Sequence, residues 1–179
     1  RSVAVTGTNG KTSVVWYISQ ICSYNKLPVK SYGTLGFYIN LKKKNKSNLT
    51  TPTYDLLHQS AFLNKENNYN FIFEASSHSL SQKRFKNFPI DIAAITNLTQ
   101  DHLDYHKNLK NYREAKYKLF TKNLITNGYS VINDKIKNII DLKKKLKKNR
   151  IITYGSNTSD INLSVKKNKL ELKFLKEKF

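Results

Sequence analysis

One cysteine, Cys22, stands among 179 residues. That excludes an internal disulfide and any metal site built on thiolates. Its apolar helical neighbours make a plain buried residue the expectation. No apolar run approaches the ~20 residues needed to span a bilayer. The chain opens directly into Ser2-Val3-Ala4-Val5, so no secretory leader is expected and the setting is cytoplasmic, with no membrane partner. Acidic residues are scarce: 12 Asp and Glu face 32 Lys and Arg, for a net charge of +20. One source of such a charge is a nucleic-acid surface. The other is a composition biased towards Lys and Asn, and the spread of the lysines along the chain favours it. Lys42-Lys43-Lys44 falls in a polar connection. Lys143 to Lys148 accompany Ile139, Ile140, Leu142 and Leu146, which make an apolar stripe at helical spacing, so these lysines read as a solvated helix face. No nucleic-acid partner is expected; the positive field should instead draw anionic small molecules.

What is present fits one domain of ordinary globular composition. Val3-Ala4-Val5 reads as a short buried strand, followed by a glycine-rich turn. A helix comes next, with Val14, Val15, Ile18, Ile21 and Cys22 on one face. Pro28 to Tyr32 reads as a strand ended by Gly33, and residues 37–50 as a hairpin or long polar loop. Thr51-Pro52 opens a helix. Strands are expected at Tyr69–Ala75, Ile90–Thr96, Tyr129–Ile132 and Ile151–Tyr154. Helices are expected at Asn108–Phe120 and up to about Lys148. Ile161–Val165 and Leu170–Phe174 alternate like an antiparallel hairpin. Strands alternating with helices predict an α/β fold, a mostly parallel sheet flanked by helices, with a small antiparallel hairpin near the C-terminus. No internal repeat or linker divides it.

Three segments carry chemistry. Gly7-Thr8-Asn9-Gly10-Lys11-Thr12, with Ser13 behind it, fits the second half of a P-loop, G-x-x-G-K-[ST], between strand and helix. Its backbone N–H groups can cradle phosphates, Lys11 would reach the β- and γ-phosphates, and the Thr12 hydroxyl would hold Mg²⁺. Alone, the loop says nucleoside triphosphate and leaves kinase, GTPase and ligase open. Phe73-Glu74-Ala75-Ser76-Ser77-His78 ends a strand, which puts Glu74 on the ligand-binding rim of a parallel sheet, either as a metal carboxylate or as a solvated charge. Thr96-Asn97-Leu98-Thr99-Gln100-Asp101-His102-Leu103-Asp104-Tyr105-His106 also follows a strand. It reads as a metal-binding loop or as a polar capping loop. Zinc is a competing metal, but without thiols, and beside a P-loop, magnesium is the better match.

Taken together, in this order and spacing, these segments resemble the central domain of the Mur ligases, and within them the MurE type. Thr50-Thr51-Pro52 and Gln82-x-Arg84 add to the likeness. Ala75 and Gln100 depart from it, standing where Val and a basic residue are more usual. The resemblance covers nearly the whole chain, residues 1–179, read as one central ATP-binding domain. It implies a ligase that uses ATP and Mg²⁺ to join an amino acid, diaminopimelate or lysine, to a UDP-linked muramoyl dipeptide. Lys116, in Tyr112-x-x-x-Lys116, matches a lysine that reacts with CO₂ to give a carbamate. By the same resemblance Lys11, Glu74, His102 and Lys116 would be catalytic. Thr12, Glu74, His102 and carbamylated Lys116 would hold metal. Thr50, Thr51, Ser76, Gln82 and Arg84 would contact the muramoyl peptide, with Arg84 suited to an acidic group.

The implied chemistry has two steps: a substrate carboxylate attacks the γ-phosphorus of ATP to give an acyl phosphate and ADP, then the incoming amine displaces phosphate. The protein's task is positioning and charge stabilisation. The UDP-binding and amino-acid-binding parts of such a ligase are expected outside this chain, and the enzyme is expected to be monomeric. A folylpolyglutamate synthase-like ligase remains an alternative, disfavoured by Gly10-Lys11-Thr12-Ser13 where that family typically has Gly-Lys-Gly-Ser. A basic nucleic-acid-binding module with an incidental P-loop is the other.

Overall fold

The computed structural model describes residues 1–47, 49–59, 68–146, 149–166 and 169–174. Apolar β-branched and aromatic runs form the strands: Ser2–Thr6 (β1), Val29–Gly33 (β2), Gly36–Ile39 (β3), Lys42–Asn45 (β4), Asn70–Glu74 (β5) and Ile90–Ile95 (β6). Leu124–Asn133 (β7), Arg150–Tyr154 (β8), Ile161–Lys166 (β9) and Lys169–Phe174 (β10) follow. The helices are Lys11–Tyr24 (α1), a stretch at 54–59 (α2), Ser77–Ser81 (α3), Leu103–His106 (α4), Leu109–Lys118 (α5) and Ile139–Lys145 (α6). A five-residue π-turn, Leu119–Asn123, closes α5.

All ten strands join one sheet in the order β10-β9-β8-β7-β6-β1-β5-β2-β3-β4. From β2 through β9 the neighbours run parallel. The β2–β3, β3–β4 and β9–β10 pairs are antiparallel. The expected fold class is therefore the observed one. β1 sits where the winding reverses: the chain leaves it towards β2, returns to β5 on one side, then crosses to β6 on the other. Ligands bind at such switch points, outside the carboxyl ends of the strands.

Two apolar clusters hold the layers. The larger lies on one face and joins Ala4, Phe71, Phe73, Ala93, Ile95 and Ile132 of the sheet to buried side chains of α2, α3, α6 and the π-turn. The smaller lies on the other face, where Val15 of α1 meets Val5, Val29 and Ile72. Phe71, Ile72 and Phe73 are each 0% exposed, so β5 is covered on both sides. By area, each such side chain contributes about 1.5–3 kcal/mol.

Several local expectations change. Ile21 is 62% exposed while Ser19 is fully buried. At 100° per residue, Val15, Ser19 and Cys22 share the sheet-facing side and Ile21 lies off it. Cys22 itself is partly rather than fully buried, packing against the smaller cluster from the last turn of α1. Ile140 is exposed and leaves the stripe made by Ile139, Leu142 and Leu146. Lys147 and Lys148 lie outside the described residues. Lys42–Asn45 forms an edge strand, all four residues exposed; lysines there discourage further strand pairing. β7 starts five residues before the expected Tyr129, along Leu124–Gly128, across a register break against β6.

Candidate active site

The glycine-rich turn leaves β1 at Thr6 and enters α1 at Lys11. Its shape depends on glycine. Gly7 has φ +142°, and a Cβ there would fall 1.9 Å from Thr96 Oγ1. Gly10 caps α1 in a left-handed conformation with no side-chain hydrogen bond to the first turn. The first N–H groups of α1 are thus left for an anion, and the turn fits a phosphate group.

The segment after β6 grips this loop. Thr8 N–H donates to Asn97 O at 3.0 Å, and Asn9 N–H donates to Asn97 Oδ1 at 2.9 Å. Thr96 Oγ1 and Asn97 Nδ2 both donate to Asn9 O. Thr8 Oγ1 accepts from Thr99 N–H and donates to Thr99 O, so the Tyr112 hydroxyl, 3.1 Å away, is the donor to Thr8. The Thr96–Thr99 part of the third motif therefore serves the loop's backbone rather than a ligand directly.

Glu74 is 1% exposed at the end of β5. Its Oε1 accepts from Thr12 Oγ1 at 3.0 Å and from Thr34 N–H at 2.7 Å. The reading of Glu74 as a merely solvated charge is thereby excluded. Room for the carboxylate comes from Gly33, where a Cβ would fall 2.1 Å from Oε1. Gly33 and Thr34 were not singled out as site residues. The glycine ending β2 was the available sign. Two hard oxygen donors side by side fit a magnesium ion.

Lys11 folds back on its own loop, donating to Gly7 O at 3.0 Å and Thr8 O at 2.9 Å. Burial lowers its pKa, opposed by the charges of Glu74 and Asp101. Lys116 comes from α5, is 1% exposed, and donates to the same Gly7 carbonyl at 2.8 Å. It also lies 4.5 Å above the Tyr112 ring. Burial, then the charge of Lys11, pulls its pKa down from 10.5 to about 7. An amine half neutral near pH 7 is chemically fit to take up CO₂.

His102 has φ 51° and sits half exposed beside Asp101, 3.4 Å from its carboxylate. Its ring meets His78 edge-on at 4.8 Å, and His78 in turn contacts Tyr105 and His106. His106 is 5% exposed and its Nε2 has no partner. Burial, then the neighbouring histidine, lowers the pKa of both His78 and His106. Among the described residues no three His, Cys, Asp or Glu converge as a preformed metal cage.

Ser76 caps α3, accepting from Ser79 N–H, and its own N–H donates to Thr51 Oγ1 at 2.9 Å. Thr51 is 1% exposed, so its hydroxyl holds the loop after β5. Thr50 Oγ1 lies 3.5 Å from that of Thr34. Arg84 Nε donates to Gln82 Oε1 at 2.9 Å, presenting one polar pair beyond α3. Ser13 is exposed on α1.

The family described as the Mur ligase middle domain matches residues 5–178. The chain belongs to the Mur ligase family. This Mur ligase domain is 41% identical over 153 residues to the UDP-N-acetylmuramoyl-L-alanyl-D-glutamate–2,6-diaminopimelate ligase of Rickettsia bellii, covering 83% of this chain and 32% of that protein. To the ligase of the same name from Rickettsia montanensis it is 39% identical over 183 residues, covering 96% of this chain and 38% of that one. The Mur ligase domain thus spans about a third of the length of these relatives. A solved structure of a ligase with this name superposes with a TM-score of 0.76 at 34% identity, covering 92% of this chain and 34% of that one. The Escherichia coli FolC structure, in complex with DHPP and ADP, shares the fold alone, with a TM-score of 0.70 at 14% identity. No described helix of the Mur ligase domain is long and apolar enough to cross a membrane.

Proposed function

We propose that this Mur ligase domain is the ATP-binding, phosphoryl-transferring centre of an enzyme that adds the third amino acid to UDP-N-acetylmuramoyl-L-alanyl-D-glutamate in peptidoglycan synthesis. The names of the relatives supply the substrate and favour 2,6-diaminopimelate as the amine. The observation that carries the reading is Lys116, buried and aimed at the carbonyl of the same loop residue that Lys11 holds.

In this reading the α1 amides and Lys11 hold the ATP phosphates and steady the transferring phosphoryl group. Thr12 and Glu74 would hold one Mg²⁺ through their oxygens. His102 and Lys116, with the lysine as a carbamate, would hold another. Bound there, the metal would supply neutralisation of the charge that builds up between nucleotide and substrate carboxylate. Thr50, Thr51, Ser76, Gln82 and Arg84 line the side from which the muramoyl peptide arrives. Thr51 and Ser76 act by fixing loop shape, and Arg84 by pairing with an acid. Grip on the UDP group and delivery of the amino acid belong to the rest of the polypeptide, and the enzyme works as a monomer in the cytoplasm.

The test is ATP-dependent ligation by the full ligase with UDP-muramoyl dipeptide and diaminopimelate. Product and ADP should form together, and Lys116→Ala should be nearly inactive. Formation of a folyl-polyglutamate by the same enzyme, or normal turnover in Lys116→Ala, would overturn the reading.

A further inference from the structure

Thr96 is the first residue past β6, and its side chain fills the notch that Gly7 leaves in the phosphate loop. Its N–H donates to Thr6 O at 3.0 Å and its hydroxyl donates to Asn9 O at 2.6 Å. The start and the crown of the loop therefore both bear on this one residue. Its hydroxyl occupies the space a Cβ on Gly7 would need, so a shift of Thr96 is a shift of the loop.

The carbonyl of Thr96 is held from β7 and β8. Asn133, the last residue of β7, donates through Nδ2 to Thr96 O at 2.7 Å. Tyr154, the last residue of β8, shares its hydroxyl proton between Ile95 O at 3.0 Å and Thr96 O at 3.2 Å. Burial raises the pKa of that phenol, which keeps it a donor. Asn133 and Tyr154 lie opposite each other in register, and each is itself fixed. Lys135 N–H donates to Asn133 Oδ1 at 2.9 Å, which decides the end of the amide that faces Thr96. Asp134 N–H donates to Tyr154 O at 2.9 Å. Gly155 makes the close approach possible: its φ is +109°, and a Cβ there would fall 2.8 Å from Asn133 Oδ1.

A carbonyl at the rim of a sheet can be satisfied by water and needs no side chain. Here two side chains, 37 and 58 residues along the chain, converge on one such carbonyl. We propose that Asn133 and Tyr154 are positioning residues for nucleotide binding: acting through Thr96, they hold the phosphate loop in the shape that receives the ATP phosphates. The inference rests on the reading of that loop as an ATP site. A loop already in its binding shape loses little freedom when the phosphates arrive, whereas a loosened one must be ordered by the ligand.

The test uses the full-length ligase. Asn133→Asp keeps the shape of the side chain and the oxygen bonded to Lys135 N–H, but sets an acceptor against Thr96 O in place of the donor. Tyr154→Phe removes only the hydroxyl. Calorimetry with ATP·Mg²⁺ should show Kd raised about fivefold or more in Asn133→Asp and about two- to fivefold in Tyr154→Phe. KM for ATP should rise in parallel, while KM for UDP-muramoyl dipeptide and for diaminopimelate should stay within about twofold. Residues that only support the sheet would lower Tm and leave the ATP constants alone, so an unchanged Kd in both variants overturns the inference at any Tm. An equal rise in all three KM values overturns it as well. Should Asn133→Asp fail to fold, Tyr154→Phe alone decides. Lys11→Ala separates this inference from the reading beneath it. ATP binding retained there refutes the ATP site and the inference with it; binding lost there but normal in Asn133→Asp and Tyr154→Phe refutes only the positioning role.

Discussion

Gly33→Ala tests how Glu74 is held, with one added methyl group. The Gly33 backbone itself would accept alanine, since its φ lies outside the left-handed region. The obstacle is the carboxylate: the new Cβ would sit 2.1 Å from Oε1, 2.8 Å from the carboxyl carbon and 2.9 Å from Cγ. Ordinary contact begins near 3.4 Å, so Glu74 must retreat by more than an ångström. That stretches the 2.7 Å bond from Thr34 N–H beyond hydrogen-bonding range and loosens the 3.0 Å bond from Thr12. A hydrogen bond to a charged group contributes about 1.5–3 kcal/mol, and overpacking a tight site costs about 1–3 kcal/mol. The two overlap, because the methyl group acts by breaking the bond, so the expected loss is about 2–3 kcal/mol. For a domain of this size that lowers Tm by roughly 4–12 °C. Thermal unfolding measures it directly. The magnesium dependence of turnover in the full ligase should shift to higher concentration in the same variant. A double-mutant cycle isolates the cause: in a Glu74→Ala background, Gly33→Ala should cost much less, because the clash partner is gone. If Gly33→Ala is neutral, or costs the same with and without Glu74, the placement of the carboxylate against β2 is wrong.

Lys11→Ala should abolish measurable ATP·Mg²⁺ binding by calorimetry in the full ligase; unchanged affinity would sink the phosphate-loop assignment. Glu74→Ala and His102→Ala should each lower turnover at least roughly tenfold, about 1.4 kcal/mol of transition-state stabilisation. For His102→Ala the Tm should barely move, since that ring is half exposed. Tyr112→Phe removes the hydroxyl bonded to Thr8 but keeps the ring under Lys116, so KM for ATP should rise several-fold while the chain stays folded. Lys116 has a folded pKa of about 7 against 10.5 for an unperturbed lysine. Between those values the unfolded chain binds more protons, so this group makes folding more favourable as pH rises from about 7 to 10.5. Below 7 both states are protonated and its cost is fully present. Uptake of ¹³C-labelled CO₂ by the ligase, followed by NMR, should therefore rise through pH 7; a rise only above pH 9 would contradict the burial of Lys116.

Much of the fold was legible because the chain is locally consistent. Val3-Ala4-Val5, Phe71-Ile72-Phe73 and Ile92–Ile95 are short apolar runs bounded by polar residues, and each lies in a strand. Periodicity was less informative where side chains could choose between two surfaces. Ile21 and Ile140 fit a helical stripe by residue type, yet both face outwards. Sequence marks a residue as apolar without saying which neighbour covers it. In the site, the loop and Glu74 were legible from motif and strand position. What escaped was contact made through folding alone: Gly33 against Glu74, Asn97 against the loop backbone, and Tyr112 reaching Thr8 across 104 residues. Lys116 was marked only by resemblance, since no local pattern separates one lysine among so many.

On the proposed reading, the carbonyl shared by Lys11 and Lys116 would impose an order of loading. Two cations on one acceptor raise each other's free energy, and the pKa of Lys116 falls to about 7 through burial and the charge of Lys11. A nucleotide alone would reverse that balance: its phosphates would draw Lys11 away from Gly7 and place negative charge near Lys116, favouring the protonated amine that cannot react. By reciprocity, a carbamate already in place would oppose the bare polyphosphate to the same degree. Divalent cations would resolve the conflict by attracting both carbamate and phosphates. The free enzyme would then be the form that takes up CO₂, and the metal-bound nucleotide the form that keeps it.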